Sequence, residues 1–163
     1  MTGIMAAIAG SNKRLNYGTG LYNTTTSAVD TSPISASAGY PTTLLTYTWI
    51  GYYKAASTAT YTFGSSSQYS GFSGYSQGRI WIGDIAVSGY NDSNYTVYSN
   101  DNSATGTYPM LAGVYYPIRL QWNYYDQYGN NFNFAGSGSF SFSVNSSTNV
   151  SGAIFYNTAT NGF

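Results

Sequence analysis

The sequence predicts an all-β fold, an antiparallel β-sandwich of jelly-roll-like type with an extended N-terminal arm. Three features point to it. Short runs of aromatic and β-branched residues recur along the chain, divided by turns rich in Gly, Ser and Asn. No stretch sustains the helical period of about 3.6 residues. Aromatic residues form 18% of the chain and charged ones 6%, so core-forming material is plentiful while the surface is almost uncharged.

By texture the chain divides into residues 1–45, an arm or docking segment, and residues 46–163, the sandwich. The arm lacks periodicity, and Pro33 and Pro41 break any helix in it. Its apolar run, Ile4 to Ala9, is far shorter than the roughly 20 residues that cross a bilayer. Lys13 and Arg14 follow that run rather than precede it, unlike the order of a signal peptide. The run reads as a segment that docks on another protein.

From Leu44 the pattern becomes regular. Tyr47, Trp49, Gly51 and Tyr53 alternate with Thr48, Ile50 and Tyr52, a first strand bulky on both faces. Ala56-Ser57-Thr58 is a polar turn, and Thr60 to Phe63 a second strand. Ser65 to Ser76 reads as a Gly/Ser/Tyr-rich loop. Arg79 to Ile82 is a third strand and Asn94 to Tyr98 a fourth. Val114 to Trp122 is a fifth, and Pro117 implies an edge position or a bulge within it. After a turn at Gly136 and Gly138, Ser139 to Val144 alternates serine with Phe140, Phe142 and Val144, the clearest period of two in the chain. Residues 152–156 add a last strand. Trp81 and Trp122 read as core anchors. Arg119 faces away from Ile118 and Leu120.

The chemistry open to this chain is narrow. It has no histidine, no cysteine and no glutamate, and five aspartates: Asp30, Asp84, Asp92, Asp101 and Asp126. Without an imidazole or thiol there is no ordinary acid–base or nucleophile arrangement, and no paired carboxylates are readable. The chain is not expected to be an enzyme. Zero net charge gives no phosphate-neutralising patch, so nucleic acid is not a partner, and no segment inserts into a membrane. The 19 tyrosines, set among Ser, Gly and Asn, suit contact instead.

Four segments occur in an order that resembles a known family. They are Trp49-Ile50-Gly51-Tyr52-Tyr53-Lys54-Ala55 followed by Tyr61-Thr62-Phe63, then Arg79-Ile80-Trp81-Ile82-Gly83-Asp84. Leu111-Ala112-Gly113-Val114-Tyr115-Tyr116-Pro117-Ile118-Arg119-Leu120 follows, and Gly138-Ser139-Phe140-Ser141-Phe142-Ser143-Val144 closes the series. Together they resemble the protective-antigen-type β-sandwich, in the variant shared with fungal GLEYA adhesins and with phage virion proteins. The resemblance covers roughly residues 46–145. It implies one of two modes of action. Some members are lectins that grip sugar hydroxyls through calcium held by two adjacent aspartates. Alignment on Trp81-Ile82-Gly83 puts that pair near Tyr75-Ser76, and no two aspartates are adjacent in this chain. The alternative is metal-free contact through loop aromatics, with Tyr69, Phe72, Tyr75, Tyr90, Asn91, Tyr95 and Tyr98 as the expected binding residues. No cofactor is expected. Calcium is the one ion raised, with Asp84, Asp92 and Asp101 as weak candidate ligands.

The leading expectation is a virion structural protein, such as a phage tail fibre, appendage or capsid decoration, made in the host cytoplasm. Its arm would join other virion or filament subunits in a homo-oligomer, and its sandwich would face outward. The alternative is an extracellular or cell-surface adhesin module that binds a host surface glycan. A third possibility is a subunit of a self-assembling extracellular filament, built by strand addition.

Overall fold

The computed structural model describes residues 17–30, 34–39, 44–71, 73–126, 137–147 and 155–158. Four short strands open the chain: β1 (Tyr17–Thr19), β2 (Leu21–Asn23), β3 (Ala28–Asp30) and β4 (Ser35–Gly39). The long strands β5 (Leu45–Lys54), β6 (Ala59–Ser70) and β7 (Gly74–Ile82) follow. A short helix, α1 (Asp84–Val87), precedes β8 (Val97–Asn100) and β9 (Ser103–Met110). The chain then runs through β10 (Tyr115–Asp126), β11 (Ser137–Val144) and β12 (Phe155–Thr158). None of the described helices is long and apolar enough to cross a membrane.

Two antiparallel sheets result. The larger has the order β1-β12-β5-β10-β7-β8, with β2 pairing β5 and β3 beside β2; the smaller has the order β4-β11-β6-β9. Alternation sends one side of each strand into the space between them. From β10, Tyr116, Ile118, Leu120, Trp122 and Tyr124 are all fully buried, and Phe140, Phe142 and Val144 of β11 come from the opposite sheet to meet them. Much of the core is stacked aromatic rings. Trp122 lies almost parallel to Tyr124 at 5.5 Å, and Trp49 stacks on Phe140 across the sandwich at 5.6 Å.

Beside this aromatic mass runs a seam of small polar side chains. Ser65 and Ser67 of β6 both hydrogen-bond Ser99 of β8, at 2.7 and 2.9 Å, with all three side chains buried. Ser76 donates to the Ser139 carbonyl at 3.1 Å and accepts the Trp122 indole N–H at 2.8 Å. Gly78 faces the same seam, where an added Cβ would meet Ser65, Ser99 and Phe140. Small residues let the sheets approach closely here, and mutual hydrogen bonds remove the cost of burying the hydroxyls.

The sequence reading needs four corrections. Residues 17–30 and 34–39 are not a free arm but supply β1 to β4 to both sheets, while residues 1–16 lie outside the described residues. Asp30 helps tie that region down, accepting the Trp49 indole at 2.6 Å and the Asn23 amide at 3.1 Å. The Ser65–Ser76 stretch is mostly strand, the end of β6 in the smaller sheet and the start of β7 in the larger, because Ser65, Ser67 and Ser76 fill the buried seam rather than a solvated loop. The fourth expected strand begins at Val97, and β9 follows it unforeseen. Pro117 lies in a central strand. Its carbonyl accepts the Gly83 N–H at 2.8 Å, so its missing N–H falls on that same side, where β7 has already turned away into α1.

Gly78→Ala should therefore overpack the seam and destabilise the fold by about 1–3 kcal/mol, read as a lower urea midpoint. Alkaline stability offers a second check. Burial, then the neighbouring Tyr61 phenol, pushes the Tyr53 hydroxyl from 10.0 to about 12. The folded chain thus keeps a proton that the unfolded chain loses. The contribution is whole below pH 10 and is lost as pH rises to about 12. The loss amounts to about 2–3 kcal/mol. Urea midpoints should fall across that window, and Tyr53→Phe should flatten the fall.

Candidate functional site

At one end of the sandwich the chain changes sheet between β6 and β7 and between β8 and β9, and β10 ends there too. This convergence collects side chains that are distant in sequence. Tyr75, at the start of β7, is opposite Tyr125 of β10 in register, and their rings lie 5.7 Å apart. Gly74 crosses so close to the Tyr125 carbonyl that no side chain fits. Asp101 occupies the β8–β9 turn with φ 54°, a conformation that aspartate tolerates better than most residues. Its carboxylate accepts the Ser76 N–H at 2.8 Å, and its own N–H donates to the Ser76 carbonyl at 2.9 Å. Burial raises the Asp101 carboxyl above its ordinary value, and the Ser76 N–H opposes the shift. Asp126 is buried beside Tyr69. Burial, then the Asp126 charge, raises the Tyr69 phenol, while the Ser73 backbone works the other way.

The groups at this end do not fit calcium. That ion takes about six to eight oxygen ligands, usually with several carboxylates. At the Tyr75-Ser76 position the Ser76 hydroxyl is fully buried and committed to Trp122 and Ser139. Among the described residues no three acidic side chains gather around one point, and residues 127–136 contain no aspartate or glutamate.

A second surface lies on the outer face of the larger sheet. After Gly83, at φ 84°, α1 leads into a loop over residues 88–96 that folds back across β7 and β10. Asn94 organises it. Its Oδ1 accepts the Trp81 indole at 3.1 Å and the Asn91 N–H at 2.9 Å, and its amide donates to the Gly89 carbonyl at 2.8 Å. Tyr90 meets Trp81 edge-on at 5.6 Å and lies under the Arg119 guanidinium at 4.0 Å, yet stays 42% exposed. Arg119 Nε donates to the Ala86 carbonyl at 3.0 Å. Burial lowers the Arg119 pKa, and the Tyr90 phenol opposes that. Tyr95 and Tyr98 stack at 4.9 Å, both half-buried. Arg79 reaches over Tyr98 at 5.3 Å and approaches Asp92 at 3.4 Å.

The seven expected contact residues thus separate. Tyr69 and Tyr75 lie at the sandwich end, and Tyr90, Asn91, Tyr95 and Tyr98 on the outer face; Phe72 is outside the described residues. Asn91 serves its own loop, its Oδ1 accepting both the N–H and the hydroxyl of Ser93. The three weak metal candidates stand apart as well: Asp84 in the first turn of α1, Asp92 against Arg79, Asp101 on Ser76. They form no common site among the described residues, because they stand on separate elements and Asp92 and Asp101 are drawn to different partners. Tyr125, Asp126, Arg79 and Arg119 join these surfaces unforeseen. Trp81 is buried but points outward under the loop, not into the core. Alternation carried that signal, since Ile80 and Ile82 take the inner face. A shallow cleft at the other end, lined by Thr58, Ala59, Thr60, Pro109, Met110 and Leu111, holds none of the expected residues.

The sequence pattern of the GLEYA domain matches residues 45–144. Among solved structures, the A domain of epithelial adhesin 6 from Candida glabrata, in complex with Galb1-3GlcNAc, is similar. It is 18% identical with a TM-score of 0.47, over 85% of this chain and 66% of that one. The A domain of epithelial adhesin 9 from the same organism, with the same disaccharide, is 15% identical with a TM-score of 0.47, over 90% of this chain and 71% of that one. The epithelial adhesin 9 A domain with Galb1-4GlcNAc is 20% identical with a TM-score of 0.42, and this chain spans 53% of it. No curated protein matches the chain.

Proposed function

The chain belongs to the GLEYA domain family, and we propose that it is a non-enzymatic carbohydrate-binding module of the adhesin type, set at a cell surface or outside the cell. The support lies in the family together with the sandwich end. There the rings of Tyr75 and Tyr125 lie together, and the next residue along β7, Ser76, holds the Asp101 carboxylate through its N–H. Aromatic faces pack against the C–H faces of sugar rings, and carboxylates accept hydrogen bonds from sugar hydroxyls. Binding of this kind uses no metal.

The virion and filament settings both depend on residues 1–45 serving a partner. Strands β1 to β4 use residues 17–30 and 34–39 within the sandwich. With those residues so used, no described feature favours the virion and filament settings over the adhesin one.

A glycan array probed with the full chain, with and without chelator, tests the proposal. Binding to a subset of neutral glycans is expected, unchanged by chelator, and Tyr75→Ala should weaken it about tenfold, or ~1.4 kcal/mol. A blank array would sink the carbohydrate assignment. Loss of binding on chelation would overturn its metal-free form.

A further inference from the structure

Arg79 is in an unusual position for a charged residue. It is 8% exposed, on the outer face of β7 under the 88–96 loop. A guanidinium offers donors on all three nitrogens, and buried charges are normally paired and fully hydrogen-bonded. Here Nη2 donates to the Gln77 side chain at 3.0 Å. Neither Nε nor Nη1 makes a hydrogen bond, although both are buried. Asp92 comes within 3.4 Å of Nε, but off the line of the N–H, and its side chain is 82% exposed. The carboxylate is therefore near enough to attract and too poorly aligned to satisfy. Arg119 adds a second guanidinium to the same face, one strand away. Two of the chain's five cations thus share a small area. Next to Arg79 lies the stacked pair of Tyr98 and Tyr95.

We infer that Arg79 anchors a second ligand site, which takes the carboxylate of an acidic sugar in the place that Asp92 holds in the free protein. A ligand carboxylate can align in parallel with two donors on one guanidinium edge, which the loop-borne Asp92 does not do. The Tyr98 and Tyr95 rings offer a face for the sugar ring that carries the carboxylate. Asp92 acts as a tethered stand-in that a ligand must displace. The choice of a sugar rests on the carbohydrate assignment above; the choice of a carboxylate rests on Arg79 alone.

Titration of the full chain with glucuronate and with N-acetylneuraminate, followed by amide and arginine Nε NMR signals, tests the site, with glucose as the neutral control. Shifts are expected at Arg79 Nε and Tyr98 with both acids and not with glucose. Asp92→Asn removes the competing charge from an exposed position and should tighten binding at least fivefold. Arg79→Gln should abolish it, and Tyr75→Ala should leave it unchanged. No shift at Arg79 in the Asp92→Asn protein would overturn the inference, whether or not Arg79→Gln folds. Equal affinity for the acids after Arg79→Gln would overturn it too. A blank array of neutral glycans together with acid-dependent shifts at Arg79 would sink the sandwich-end assignment and leave this site standing; the reverse pattern would do the opposite.

Discussion

The two sheets meet along β6, β7 and β8 because the side chains there are small and satisfy one another. Ser65, Ser67 and Ser99 form a closed set of buried hydroxyl contacts, and Gly78 leaves them the space. An apolar side chain of ordinary size would push the sheets apart along this line. The consequences reach the end of the sandwich. Close approach lets β6 pass directly into β7 and β8 directly into β9, each a change of sheet within a few residues. Tyr69, Tyr75, Asp101 and Asp126 are brought together by those two crossings.

The outer face follows a different rule. Strand β7 carries Ile80 and Ile82 inward, which obliges Arg79 and Trp81 to face out. A tryptophan and an arginine on an exposed sheet face are covered here by the chain's own loop. Asn94 fastens that loop to Trp81 through its indole N–H. The loop is thus held by tryptophan burial and asparagine hydrogen bonds, while its aspartate serves Arg79 poorly. One small segment both completes the fold and leaves a charged group incompletely matched. Such a mismatch at a buried charge points to a ligand more readily than the tyrosine-rich composition does.

Much of the sandwich was legible from local pattern. The first strand, Arg79 to Ile82, Val114 to Trp122 and Ser139 to Val144 each carry a period of two or a dense β-branched and aromatic run, and each is a strand. β1 to β4 and β9 were not legible, because serine, alanine, threonine and glycine fill strands and loops alike. The same ambiguity hid the strands at Ser65 to Ser76. Their serines look like solvated linker until Ser99, more than thirty residues away, supplies their partner. Selecting loop tyrosines as contact residues gathers side chains that the fold sets on different surfaces. It did not separate the two surfaces, nor did it find Arg79, whose importance lies in hydrogen bonds it fails to make.

By itself the sequence determined the all-β class, the inward set of β10 and β11 and the shortage of acid–base chemistry. These follow from alternation and from which side chains are present. Only the tertiary structure decided which polar residues are buried, that a loop covers Trp81, and which partners Asp30, Asp92 and Asp101 take. Those outcomes depend on contacts between strands far apart in the chain, and a serine or an aspartate acquires its role from what it meets rather than from its neighbours in sequence.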